Sequence, residues 1–236
     1  MSTLLFIRHA QGSFGKGNYD KLSETGMKQA AILGEHLHKI NMQFDEIYSG
    51  TLVRHKETAD GFISKSKINN TPVPEIKYDT RLNEYDTEVI FSILSPVLLA
   101  EKPQLKEYYG NLLTDKKSFH IIFSEVMNMW CSGNYDMKGT PTWEEFKSGV
   151  YEFLDDIMKN FPGGKTIAVF TSGGPISAAV MKVLSLNNSK TMLIRDEVAN
   201  TSITRFKFTS DRIMLSTFNE YSHLELAGGK NIITYR

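Results

Sequence analysis

Thr3-Leu4-Leu5-Phe6-Ile7 runs directly into Arg8-His9-Ala10-Gln11. A near-continuous apolar run of this length is the pattern of a strand buried on both faces of a parallel sheet, which requires helices above and below it. The pattern returns at Thr166-Ile167-Ala168-Val169-Phe170, which ends in Thr171-Ser172-Gly173-Gly174-Pro175. Proline at the first turn of a helix is tolerated because its missing N–H would be unpaired there anyway, so a helix is expected to start near Pro175.

Between these two strands the reading proceeds outward. Ser23 and Thr25 are N-cap residues ahead of the stripe Ala30, Ala31, Leu33, Leu37 and Ile40, which predicts a helix. Phe44 to Tyr48 reads as a second strand, Leu52 to Ile63 as a helix, and Pro72 to Asp79 as the place of a third, short strand. From about 87 to 160 helical stretches dominate (Glu88–Ala100, Lys117–Trp130, Thr142–Asn160), expected as an insertion over one end of the sheet. Thr201–Phe208 and Arg212–Phe218 alternate around Ser210-Asp211, as an antiparallel hairpin at the sheet edge does. That edge also offers a surface on which two copies can pair as a homodimer. The expectation is an α/β fold: a three-layer α/β/α sandwich with a mostly parallel central sheet and a helical cap insertion, in a single domain over 1–236.

Composition narrows the functions. The 236 residues carry 27 basic and 27 acidic side chains, so the formal net charge is zero. Nucleic-acid and anionic-membrane partners demand a basic surplus, and neither is expected. Cys131 is alone and has no metal-ligand spacing around it. Met1 to Ile7 lacks a basic leader and a small-residue cleavage site, and no apolar stretch approaches the roughly 20 residues that span a bilayer. A cytoplasmic location is therefore expected.

Ligands of open α/β sheets gather at the carboxyl ends of the strands. Four polar groups fall there: Arg8-His9, Ser49 to Arg54, Arg81 to Asp86, and Thr171 to Gly174. Neutral imidazole is a competent nucleophile toward phosphorus once the phosphate charge is offset. Arginine offsets it with a planar fork matched to two oxygens, a carboxylic acid protonates the leaving alcohol, and helix N-terminal amides face the anion. His9, Arg8, Arg54, Glu84 and the Gly173-Gly174 helix start fill these roles. Gln11 and Ser13 are further candidates for substrate oxygens. The Gly12, Gly15, Gly17 spacing is not a dinucleotide fingerprint, since no helix follows directly.

These segments resemble the histidine phosphatase (phosphoglycerate mutase-like) superfamily. Leu5 to Gln11 is similar to its "RHG" signature, and Ser49-Gly50-Thr51-Leu52-Val53-Arg54 with Glu57-Thr58-Ala59 to its second arginine segment. Leu82 to Asp86 resembles its acidic segment, and Phe170 to Ile176 its second catalytic segment. Gln11 to Leu22, with Ser13-Phe14-Gly15, Tyr19-Asp20 and Leu22-Ser23, resembles a bacterial branch of the family. Asn200 to Thr204 and Phe218 to Leu224 continue the likeness. The resemblance implies a phosphohistidine on His9, phosphate held by Arg8 and Arg54, Glu84 as general acid, and no cofactor or metal.

Two positions depart from that pattern. Ala10 replaces a glycine, and Ser172 stands where most members carry a second histidine. Three consequences are open: the Ser172 hydroxyl donates to the phosphate in a slower enzyme, another histidine such as His223 or His55 stands in, or catalysis is lost and phosphate binding kept. The first is preferred, and with it restoring histidine at 172 should raise turnover. The remaining histidines read as structural; His36 and His38 are two apart and point to different helix faces. The expected function is hydrolysis of a phosphomonoester on a small molecule or a protein. Mutase-type phosphoryl transfer and a catalytically weakened phosphate-binding protein are the alternatives.

Overall fold

The computed structural model describes residues 1–13, 20–69 and 71–235. The strands are β1 (Ser2–Arg8), β2 (Glu46–Ser49), β3 (Ile76–Tyr78), β4 (Thr166–Thr171), β5 (Ile203–Phe208) and β6 (Ile213–Glu220). They form one sheet in the order β3-β2-β4-β1-β5-β6. β1 to β4 run parallel, so their carboxyl ends share one edge, while β5 pairs antiparallel with both β1 and β6. The hairpin expected at the edge is there, with β6 outermost and its turn closed by Thr209 N–H donating to Arg212 O at 2.8 Å.

Strand side chains alternate between two apolar layers, as a two-sided sheet requires. Leu5, Ile7, Ala168, Phe170 and Ile47 pack with Leu33, Leu37, Ala59 and Phe62 on one face. These come from α1 (Glu24–Lys39) and α2 (Val53–Ile68). Leu4, Phe6, Ile167, Val169, Phe206 and Phe208 face the other layer. That layer draws on α3 (Thr87–Glu101), α4 (Lys106–Gly110), α5 (Lys116–Ser132), α6 (Trp143–Asn160), α7 (Gly173–Leu184) and α8 (Asn188–Glu197). The last helix is α9 (Ser222–Gly228).

Capping explains several boundaries. The Ser23 hydroxyl accepts from Gly26 N–H at 3.0 Å at the start of α1, and Thr142 with Glu145 forms a reciprocal capping box at the start of α6. The segment expected to cap the sheet's end is partly a layer of the sandwich. Phe153 of α6 meets Phe6 of β1 edge-on, with ring centroids 6.3 Å apart. The aromatic residues around Trp130 continue outward from there, Trp130 lying 5.4 Å from Trp143 and 4.6 Å from Tyr85.

Candidate active site

The parallel order of β1 to β4 brings the four chain-distant segments together. His9 N–H donates to Thr171 O at 2.7 Å, and Gly50 N–H to Phe170 O at 3.0 Å. Thr51 N–H donates to Asn83 Oδ1 at 2.7 Å, which ties the acidic segment to the second arginine segment. The Thr171 hydroxyl donates to Leu82 O at 2.5 Å. Phe14, Gly15, Gly17 and Tyr19 of the loop after β1 lie outside the described residues.

His9 is buried, at 3% exposure. Its Nδ1 lies 2.7 Å from Ala10 O, and a carbonyl only accepts, so Nδ1 carries the proton and Nε2 presents a lone pair. Arg54 Nε–H donates to that Nε2 at 3.3 Å. Burial, then Arg54, Arg8 and His55, hold His9 well below the ordinary imidazole pKa, so the ring is neutral at pH 7. Asn200 Nδ2 donates to His9 O at 2.9 Å, and the loop is further tied to α2 through Thr58, whose hydroxyl accepts from Ala10 N–H at 2.9 Å. The Ala10 methyl packs with Leu22 and Ala30, so the extra carbon is absorbed in a small apolar cluster.

The two expected phosphate ligands are buried guanidinium groups. Arg8 Nη1 donates to Val198 O, and Arg54 Nη1 pairs with Asp20 Oδ1 at 2.8 Å. Asp20 Oδ2 also accepts from Val53 N–H at 2.9 Å, capping α2 and fixing the angle at which Arg54 leaves it. Glu84 Oε2 accepts from Gly174 N–H at 3.2 Å, and its Oε1 is buried without a hydrogen-bond partner. A Cβ on Gly174 would lie 2.1 Å from that Oε1, so the carboxyl rests directly on the helix start.

Ser172 occupies the N-cap position of α7, yet its hydroxyl does not cap the helix. It lies 2.7 Å from His55 Nε2. His55 is fully buried and its ring centroid is 5.6 Å from that of His9. Burial and then Arg54 hold His55 well below its ordinary pKa. Gly50 makes the space: a Cβ there would lie 2.2 Å from His55 Nδ1. Of the two stand-in histidines considered, His55 adjoins Ser172, whereas His223 lies against Thr201 and His36. Gln11 and Ser13 hold the loop itself, Gln11 Oε1 accepting from the Ser23 hydroxyl at 2.8 Å and the Ser13 hydroxyl donating to Leu22 O at 3.0 Å.

The sequence reading missed Arg195 on α8. A Cβ on Gly173 would be 3.8 Å from Arg195 Cγ and equally close to Arg8 Nε. The Arg195 guanidinium lies over the Tyr85 ring, 5.7 Å from its centroid. The signal was Asn187, whose side chain accepts from Lys190 N–H at 2.9 Å and starts the unread helix.

Residues 4–221 match the pattern of the histidine phosphatase superfamily, branch 1. The chain belongs to this superfamily. Over 88 residues it is 41% identical to mouse fructose-2,6-bisphosphatase TIGAR, covering 34% of this chain and 31% of that protein. Over 78 residues it is 31% identical to the mitochondrial serine/threonine-protein phosphatase Pgam5 of Drosophila ananassae, covering 32% and 27%. The matched part of this histidine phosphatase-family chain thus spans less than a third of either relative. Among solved structures, phosphoglycerate mutase from Bacillus anthracis superposes with a TM-score of 0.65 at 20% identity over 97% of this chain and 96% of that one. Phosphoserine phosphatase from Entamoeba histolytica, in complex with 3-phosphoglyceric acid, gives 0.60 at 20% identity over 95% and 100%. These likenesses show the fold, an α/β sandwich of the phosphoglycerate mutase kind. No helix among the described residues is long and apolar enough to cross a membrane.

Proposed function

We propose that this protein hydrolyses a phosphomonoester through a phosphohistidine on His9. The observation that carries the reading is the fixed tautomer of His9: Nδ1–H is held by Ala10 O, and the Nε2 lone pair faces Arg54. His9 Nε2 attacks phosphorus while the bond to the leaving oxygen breaks, and Arg8 and Arg54 take the charge on the phosphoryl oxygens. Glu84, whose Oε1 is buried without a hydrogen-bond partner, serves as the general acid that gives a proton to the departing alcohol. Water then attacks the phosphohistidine, Glu84 takes a proton back, and inorganic phosphate leaves. Fructose-2,6-bisphosphatase, phosphoprotein phosphatase and phosphoserine phosphatase activities among the similar proteins are in keeping with this chemistry.

In this reading Ser172 and His55 act together. His55 Nε2–H donates to Ser172 Oγ, which turns the hydroxyl proton toward a phosphoryl oxygen. The imidazole that other members carry after β4 is supplied here from α2, one hydroxyl further back. Gln11 and Ser13 support the loop, and Gly173 offers its backbone to the anion at the start of α7.

Incubation with a panel of phosphoesters, followed by acid-labile phosphate trapping on wild type and His9→Ala, tests the reading. Trapping on wild type with release of inorganic phosphate supports it. Trapping with an isomerised product points to a mutase, and no trapping with any ester leaves a phosphate-binding protein.

A further inference from the structure

Three side chains from separate elements converge beside the last turn of α1: His36 on α1, Glu220 at the end of β6, and His223 in the first turn of α9. One ligand atom from each lies within 4.8 Å of the other two. Donors about 2.1 Å from a tetrahedral ion stand roughly 3.4 Å apart, so a small inward rotation closes the set.

The set is more than a group of polar residues, because two of its members, His223 and Glu220, are held from behind. The His223 ring is 3% exposed. Its Nε2 is 3.1 Å from the Thr201 hydroxyl, while its Nδ1 is shielded from solvent and has no hydrogen-bond partner. With the proton on Nε2 and donated to Thr201, Nδ1 carries a bare lone pair. This is the arrangement of a ligating histidine, whose second nitrogen is fixed by a donor bond to the protein. Glu220 is anchored through Oε1, which accepts from Ser222 N–H at 2.9 Å and from the Ser222 hydroxyl, leaving Oε2 to reach a cation. The His36 ring is stacked beside His223 at a centroid distance of 5.3 Å. A cleft of about 270 Å³ reaches both histidines from solvent, and Lys39 at its rim pairs with Glu35 at 3.7 Å.

We propose that His36, Glu220 and His223 bind a divalent transition metal, with Zn²⁺ the best match to two imidazoles, one carboxylate and a water. The ion would fasten α9 and β6 to α1. It would also bear on the phosphate site through Thr201, whose N–H donates to Arg8 O at 3.1 Å. Thr201 sits at φ 59°, a conformation a β-branched residue adopts only when its surroundings hold it. The binding itself does not depend on the phosphatase reading.

The test is titration of the purified full chain with Co²⁺, read by visible absorption, with Zn²⁺ as competitor. The expected result is one Co²⁺ per chain with the band intensity of a four-coordinate site, displaced by Zn²⁺. His36→Gln and Glu220→Gln should each weaken binding at least tenfold. His120→Ala, in α5, should leave it unchanged. Glutamine at 220 keeps an oxygen for Ser222, and matched melting curves without metal confirm that both variants are folded. Absence of saturable one-to-one binding, or binding that neither variant weakens, overturns the proposal.

Discussion

If Ser172 reaches the transferring phosphate with His55 behind it, removing either should remove the same interaction. Loss of one oriented donor to a developing oxyanion slows turnover by at least about 10²-fold, equivalent to about 2.7 kcal/mol. Ser172→Ala and His55→Ala are each expected to show about that loss in kcat, measured as phosphate release at saturating aryl phosphate. The double variant should be no slower than either single one, which gives a coupling energy of roughly 2.7 kcal/mol. Independent residues would multiply instead, to about 10⁴-fold. The same geometry bears on restoring a histidine at 172. That position is fully buried, with an imidazole nitrogen already 2.7 Å from its hydroxyl. Ser172→His alone should therefore overpack the site, at about 1–3 kcal/mol of stability, without raising turnover. Ser172→His with His55→Ala makes room and should be the faster of the two. A folded His55→Ala enzyme that turns over at the wild-type rate would refute the relay, as would multiplicative losses in the double variant.

Glu84 as proton donor predicts a dependence on the leaving group. Glu84→Gln should slow hydrolysis of alkyl phosphates by about 10²-fold or more and that of p-nitrophenyl phosphate far less, because nitrophenolate needs no proton to depart. Gly174→Ala should reproduce the same selective loss, since the new Cβ would fall 2.1 Å from Glu84 Oε1 and displace the carboxyl; equal losses on both esters would remove Glu84 from the acid role. Stability should fall on acidification. His9 and His55 are held neutral in the fold below the ordinary 6.5, so below that pH the unfolded chain binds more protons. Unfolding free energy is then full above pH 6.5 and declines below it, by up to about 1.4 kcal/mol per pH unit for each ring. Urea midpoints between pH 7 and 5 check this, and His55→Ala should make the decline shallower.

The fold was legible because its two central strands are apolar on both faces, a pattern that few other architectures produce. The hairpin was legible from alternation around Ser210-Asp211. What escaped was α8, whose polar sequence from Asn188 to Glu197 has no apolar stripe and buries just Thr191 among its residues. Arg195 was lost with it. The convergence of the candidate site residues was legible because they stand within a few positions of strand ends. The link between His55 and Ser172 was not, because the two are 117 residues apart and meet through space. The contact of His36 with His223 was not legible either, because the two rings stack from opposite ends of the chain.

The proposed replacement of a histidine by Ser172 has its largest consequence at Arg195. A second histidine after β4 would supply a positive charge to the phosphoryl group as it transfers. His55 does not, since burial and Arg54 keep it neutral. Arg54 itself shares its charge with Asp20 at 2.8 Å. Arg195 runs its side-chain stem past Gly173, the residue following Ser172, where Arg8 also reaches. Its guanidinium is placed by stacking over the Tyr85 and Phe123 rings, whose centroids lie 5.7 and 5.2 Å away. A unit charge about 5 Å from a bound phosphate would contribute roughly 3 kcal/mol at an effective dielectric of 20. Its pairing with Asp196 at 3.0 Å and its partial exposure reduce this. A loss of about tenfold to a hundredfold in kcat/KM is therefore expected for Arg195→Met, with methionine keeping the contact to the rings. Arg195→Lys should recover part of it, because the charge returns without the planar stack. Unchanged kcat/KM for Arg195→Met would mean that the site manages with Arg8 and Arg54 alone, and that the second histidine was exchanged without replacing its charge.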